Sequence, residues 1–159
     1  MAFRQWLIGL LVGSSKAQGD LAIIVPPAGS SASEEEVAGL NFRSAIDAHQ
    51  KWKSRLQDVI NGNTSDSLSV EEVSRDDRCI LGKWLYGEGA GKYSEYEQFR
   101  ALRNHHAHFH KCAGKVLEAA LAGNKTGAQA ALKSGDFAHA SQAIVLKLAE
   151  MYNRISKPS

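Results

Sequence analysis

From residue 33 onward the chain places apolar residues at intervals of three and four, and almost nowhere alternates with the period of two that a strand requires. Phe42, Ala45, His49, Trp52, Leu56 and Val59 form one such stripe, the pattern of a bundle helix with one buried side. Ser33-Glu34-Glu35-Glu36 has the form of a capping box with acids in the first turn, and Asn61-Gly62-Asn63 is a stop signal. The pattern therefore predicts a long helix from Ser33 to about Ile60. A second capping box, Ser69 to Glu72, opens a short helix, and Cys79 to Tyr86 (CILGKWLY) reads as another, stopped by GEGAG. A long helix from about Ser94 to Ala122 carries the stripe Phe99, Leu102, His106, Phe109, His110, Ala113 and Leu117, with Gly123 past its end. Thr126 to Gln129 opens a further short piece that weakens at Ser134-Gly135. The last helix buries Phe137, Ser141, Ile144, Leu148, Met151 and Ile155. The expected fold is all-α: an antiparallel bundle of three long helices plus one or two short ones, with a short N-terminal extension.

The expected division is a partly apolar lead-in over residues 1–32 and a bundle over 33–156. The lead-in has one Arg and a seven-residue apolar run, Trp6 to Val12, shorter than the usual secretory core and followed by no A-x-A-like site. Leu21 to Val25 has the makings of a short strand, which PPAGSSAS ends. The lead-in reads as a segment that docks on a partner or packs on its own domain.

Composition narrows the partners. With 19 basic and 17 acidic side chains the net charge is +2, too balanced to call for nucleic acid or an anionic membrane. No apolar run is long enough for a transmembrane span. Two cysteines, Cys79 and Cys112, make no disulfide framework, and reduced thiols fit a cytoplasmic protein.

The chemistry concentrates in HHAHFHKC, His105 to Cys112. A helix turns about 100° per residue, so His106 and His110 lie one above the other, and both fall on the apolar stripe. His105, His108 and Cys112 point elsewhere. His49 holds a stripe position on the first helix. A lone histidine on an apolar face is most often a satisfied core residue. Three from two helices, facing one core, need either hydrogen-bond partners or a shared cation, and neutral imidazole suits zinc. Cys79, on a compact helix that Gly82 lets approach its neighbours and Trp84 wedges in place, supplies a fourth ligand. Thiolate with three imidazoles is a closed tetrahedral set for zinc and a poor one for magnesium, calcium or manganese. Residue 107 is Ala, so the HExxH base of a metalloprotease is missing, and four protein ligands leave no exchangeable position for catalysis. The expected protein is not an enzyme. Asp76 and Asp77 precede the Cys79 helix, and capping it is their expected role, ahead of accepting a ligand histidine's ring N–H.

His49 with Trp52, then Arg78-Cys79-Ile80-Leu81-Gly82-Lys83-Trp84-Leu85, then His106-Ala107-His108-Phe109-His110, stand in one order and at one set of separations. In these motifs the chain resembles the chemoreceptor zinc-binding domain, the CZB domain of bacterial signalling proteins, over about residues 40–154. The tail from Gly135 is similar to that family's last helix. The resemblance implies one zinc ion on His49, Cys79, His106 and His110, a regulatory role in chemotaxis or related signalling, and dimerisation. Such domains are usually joined to a chemoreceptor or a diguanylate cyclase. Neither is recognisable here, so output is expected through a separate, unidentified signalling protein, or else through the short N-terminal segment. The alternative is a structural zinc that staples an interaction module without sensing. Because the Cys79 helix is short, residues 76–87 are expected to depend most on the metal bond.

Overall fold

A computed structural model describes residues 36–63 and 67–157. The expected N-terminal extension lies outside them, as do Ser33, Glu34 and Glu35 of the first capping box. The described chain opens on two short antiparallel strands, β1 (Glu36–Val37) and β2 (Leu40–Asn41), paired Glu36 to Asn41 and Val37 to Leu40. Ala38 and Gly39 form the two-residue turn, both with positive φ (55° and 79°), as a tight hairpin requires.

The first long helix, α1 (Phe42–Asn61), therefore starts later than the Ser33 signal suggests. Its cap is Asn41, whose side chain accepts the Ser44 N–H at 2.8 Å. It ends as expected, at Gly62 in the left-handed region (φ 76°). The short helices are α2 (Val70–Ser74), α3 (Ile80–Tyr86), α4 (Glu88–Tyr93) and α6 (Lys125–Lys133). The other long ones are α5 (Glu97–Leu121) and α7 (Asp136–Ser156). The all-α bundle of three long helices is as the sequence leads one to expect, with more short helices around it. GEGAG does not end the helical run. Gly87 only breaks it, and α4 follows at once. Gly89 is where the Trp84 ring needs room: a Cβ there would lie 2.7 Å from the indole.

Side-chain pairings fix the directions. Phe42 meets Tyr152 with ring centroids 5.7 Å apart, Phe109 meets Phe137 at 5.4 Å, and the Arg154 guanidinium lies over Tyr96. Thus α7 runs against both α1 and α5. Phe42 and Phe99 both pack on Trp84, and His49 packs on His106, so α1 and α5 run the same way. Two helices pointing the same way need a long return, and the segment carrying α2, α3 and α4 is that return.

The core between the long helices holds Phe99, Leu102, Phe109, Leu117, Phe137, Ile144 and Leu148, all essentially without solvent contact. On α1 the buried stripe is Phe42, Ala45, Ile46, His49, Leu56 and Ile60, with Trp52 and Val59 only half-buried. Each fully buried aliphatic or aromatic side chain contributes about 1.5–3 kcal/mol. This core lies beyond the histidine cluster as well as beside it, which bears on whether the fold needs a metal.

Gly82 matters differently from the expectation. A Cβ there would fall 1.9 Å from the Asp76 carbonyl oxygen, so the close approach is to the loop leading into α3, not to a neighbouring long helix. Gly82→Ala must push that loop aside. It is expected to cost about 1–3 kcal/mol, the usual range for overpacking, and to lower zinc affinity by moving Cys79. Thermal unfolding and a zinc titration of the variant check this; unchanged values in both would show that the loop yields freely.

Candidate metal centre

His49 comes from the middle of α1, and His106 and His110 from successive turns of α5. Cys79 is the residue that caps α3, its Sγ accepting the Gly82 N–H at 3.3 Å. One donor atom from each of the four lies within 4.8 Å of the others. The three imidazoles are buried, at 3%, 0% and 3% exposure for His49, His106 and His110, and Cys79 is half-buried. The rings meet edge to face, with centroids 5.1 Å apart for His49 and His106 and 4.7 Å for His106 and His110. The structure thus brings together the four residues singled out from the sequence. His105 is half-buried, while His108 and His139 are exposed. Cys112 is buried beside His108, its Sγ 3.5 Å from that ring's Nε2, away from the cluster.

Hydrogen bonding aims the rings. His49 Nδ1–H donates to the Ala45 carbonyl at 2.6 Å, one turn back on its own helix. His110 Nδ1–H donates to the Val73 carbonyl at 2.8 Å, on α2. With Nδ1 protonated in each, Nε2 keeps its lone pair, and both Nε2 atoms are buried without a hydrogen-bond partner. An unpartnered buried polar atom costs about 1–3 kcal/mol, so two of them facing one cluster call for a cation. Cys79 Sγ lies 3.2 Å from His106 Nε2, and His106 Nδ1 has no partner among the described residues. No sequence signal indicated that the orienting groups would be backbone carbonyls. Asp76 and Asp77 neither cap α3 nor hold a histidine: Asp76 accepts the Tyr86 hydroxyl at 2.6 Å, and Asp77 takes the Arg75 guanidinium through two bonds. Cysteine itself serves as the cap.

Electrostatics favours the neutral cluster. Burial pushes the His49 imidazole down to about 4 and the His106 imidazole down to about 2, with neighbouring histidines adding to the effect. His110 is lowered, again mainly by burial. Burial also raises the Cys79 thiol, against the Gly82 N–H. The metal-free site therefore holds three neutral imidazoles and a thiol that can donate to His106 Nε2.

The donor set fits zinc. Zn–N near about 2.0–2.1 Å and Zn–S near about 2.3 Å place tetrahedral ligand atoms roughly 3.4–3.6 Å apart. Cys79 and His106 are already that close, and the widest separation of 4.8 Å needs only side-chain adjustment. Residues 49–117 match the family model of the chemoreceptor zinc-binding domain. Over this segment the chain is similar to the chemoreceptor zinc-binding domain. The segment runs from the first candidate donor, His49, through His110 on α5, so all four candidate donors fall within the match. The family is a zinc-binding one, and these four residues are its candidate zinc site here. Neither a curated protein nor a solved structure matches the chain. None of the described helices is long and apolar enough to cross a membrane.

Proposed function

We propose that His49, Cys79, His106 and His110 hold one zinc ion, and that this chain is a zinc- or oxidant-responsive regulatory unit of bacterial signalling rather than an enzyme. The observation that carries the reading is the convergence of four donors within 4.8 Å, two of them with carbonyl-fixed tautomers and unshared Nε2 lone pairs. Bound there, zinc supplies a closed Lewis-acid centre and a thiolate that strong oxidants such as hypochlorous acid can attack. His49 and His106 bridge α1 to α5, and His110 draws in α2 through Val73. Cys79 is the donor from the return segment, so it is the one whose loss changes what a partner meets. In this reading residues 33–156 form the zinc-binding unit, residues 1–32 a separate lead-in, and the signal passes to a separate cytoplasmic signalling protein, in chemotaxis or a related pathway, with the unit working as a homodimer.

The alternative, a zinc that only staples the fold, has less behind it. The apolar core extends well beyond the cluster, from Leu117 and Leu132 to Ile144, and a chain of this size buries enough surface to fold without a metal clamp. A zinc titration followed by circular dichroism separates the two. The sensor reading expects reversible binding and helical content nearly unchanged when zinc is stripped; a metal-free protein that loses its helices supports the staple.

The same titration has a defined pH dependence. The sequence alone points to weakening as pH falls through the ordinary histidine range. Burial lowers His110 as well, and with His49 already down at about 4 and His106 at about 2, those two imidazoles do not compete there. The raised Cys79 thiol does: it must lose its proton to bind. One proton should be released per zinc across the neutral range, so affinity should rise about tenfold per pH unit, a factor equivalent to about 1.4 kcal/mol. The slope steepens at lower pH, where the imidazoles begin to take up protons. Affinity that is flat between neutral and mildly acid pH contradicts the Cys79 assignment.

A further inference from the structure

His110 differs from His49 in where its outer hydrogen bond goes. His49 bonds to its own helix, whereas His110 Nδ1–H reaches the Val73 carbonyl on α2, a separate five-residue helix. That carbonyl lies near the end of α2, and Val73 is itself buried. The helix is held in shape by the Ser69 cap on Glu72 N–H and by Ser74 Oγ, which donates to the Val70 carbonyl at 2.7 Å. Its approach to α5 is tight at Gly114. Gly114, one turn beyond His110, faces Ser74: a Cβ there would lie 2.0 Å from Ser74 Oγ and 3.2 Å from Ser74 Cβ.

We propose that α2 is the positioning element of His110, with the Val73 carbonyl selecting the ring nitrogen that faces the metal and Gly114 setting the depth at which α2 lies on α5. This rests on the zinc reading of the site. A neutral imidazole has one proton, and whichever nitrogen carries it cannot ligate. The bond to Val73 keeps the proton on Nδ1 and leaves Nε2 for the cluster. If α2 rides outward, that bond lengthens first, since it is the direct link between α2 and a ligand ring. The ring is then free to take the other tautomer. Glycine in the middle of a 25-residue helix lowers helix propensity, so its presence at the contact with Ser74 is accounted for by the close approach.

The test uses Gly114→Ala and Gly114→Val in the full chain, read by zinc affinity and by the ¹⁵N signature of the His110 tautomer in the zinc-stripped protein. Wild type should show Nδ1–H at His110. Gly114→Ala should lower zinc affinity by up to about tenfold and Gly114→Val by roughly 10–100-fold, the range for disturbing an outer partner of a metal ligand. The Nδ1–H population should fall in the same order. Alanine favours the helix over glycine, so weaker binding by Gly114→Ala cannot come from a poorer α5. Gly114→Ala combined with Ser74→Ala should recover most of the affinity and the tautomer, while Ser74→Ala alone stays near wild type. Unchanged affinity and tautomer in Gly114→Ala and Gly114→Val overturn the proposal, as does a loss that Ser74→Ala does not restore. If Gly114→Val fails to fold, Gly114→Ala and its rescue decide. His110→Ala binding zinc like wild type would defeat the zinc reading instead, and the tautomer measurement would still report on α2.

Discussion

Replacing any one of His49, Cys79, His106 or His110 by alanine is expected to lower zinc affinity by well over the roughly 10–100-fold that follows disturbance of an outer partner. Each removes a donor from a set with no spare member: the next histidines, His105 and His108, lie off the buried face, and Cys112 is turned toward His108. His105→Ala, His108→Ala and Cys112→Ala should therefore bind one zinc per chain as wild type does. Metal content after dialysis and competition titration against a chelator measure both sets. Cys112→Ala losing zinc while Cys79→Ala keeps it would reverse the assignment. The zinc-stripped histidine variants should be close in stability to zinc-stripped wild type, whereas Cys79→Ala also removes the cap of α3 and should be less stable. Alanine removes a buried imidazole nitrogen that otherwise goes unpartnered, although the cavity it leaves offsets part of that gain.

Stripping zinc or oxidising Cys79 should raise amide exchange about tenfold or more over residues 75–82, with α1, α5 and α7 largely unchanged. The structure narrows the 76–87 span that helix length alone suggests. Trp84 and Leu85 are buried, and the Trp84 indole N–H donates to the Ala38 carbonyl at 2.8 Å, so the second half of α3 is anchored in the core and to the hairpin. In the stretch before it, residues 75–82, Leu81 alone of the hydrophobic side chains lies in the core. The bidentate Arg75–Asp77 pair is exposed and contributes little, and Ile80 is 69% exposed. Cys79 Sγ caps the first turn of α3 through Gly82 N–H, so oxidation removes a helix cap together with the proposed metal ligand. Hydrogen exchange on zinc-loaded, zinc-stripped and oxidised protein reads this. Equal protection over 75–82 in the three states, or loss of protection throughout the chain, would leave the staple as the better account.

The long helices and the three clustered histidines were legible because one periodicity carried both. On α5 the three–four spacing that buries Phe99, Leu102 and Phe109 also buries His106 and His110, so polar residues on that stripe stood out against an apolar background. The start of α1 was misread because Ser33-Glu34-Glu35-Glu36 satisfies a local capping rule. The turn at Ala38-Gly39 and the cap at Asn41, both present in the sequence, win instead. GEGAG looked like a terminator because glycine lowers helix propensity; packing of Trp84 against Gly89 overrides that preference. The carbonyls of Ala45 and Val73 leave no side-chain signal at all. Any residue presents a carbonyl, and only the path of the return segment brings the one at Val73 to His110. The same holds for the parallel run of α1 and α5, which depends on where the return crosses and not on the pattern within either helix.

X-ray absorption at the zinc edge of the loaded wild-type protein tests the central claim most directly. One sulfur and three nitrogen scatterers, at about 2.3 Å and about 2.0–2.1 Å, are expected, with the sulfur shell lost in Cys79→Ala and kept in Cys112→Ala. A first shell without sulfur, or one that keeps its sulfur in Cys79→Ala, would contradict the site.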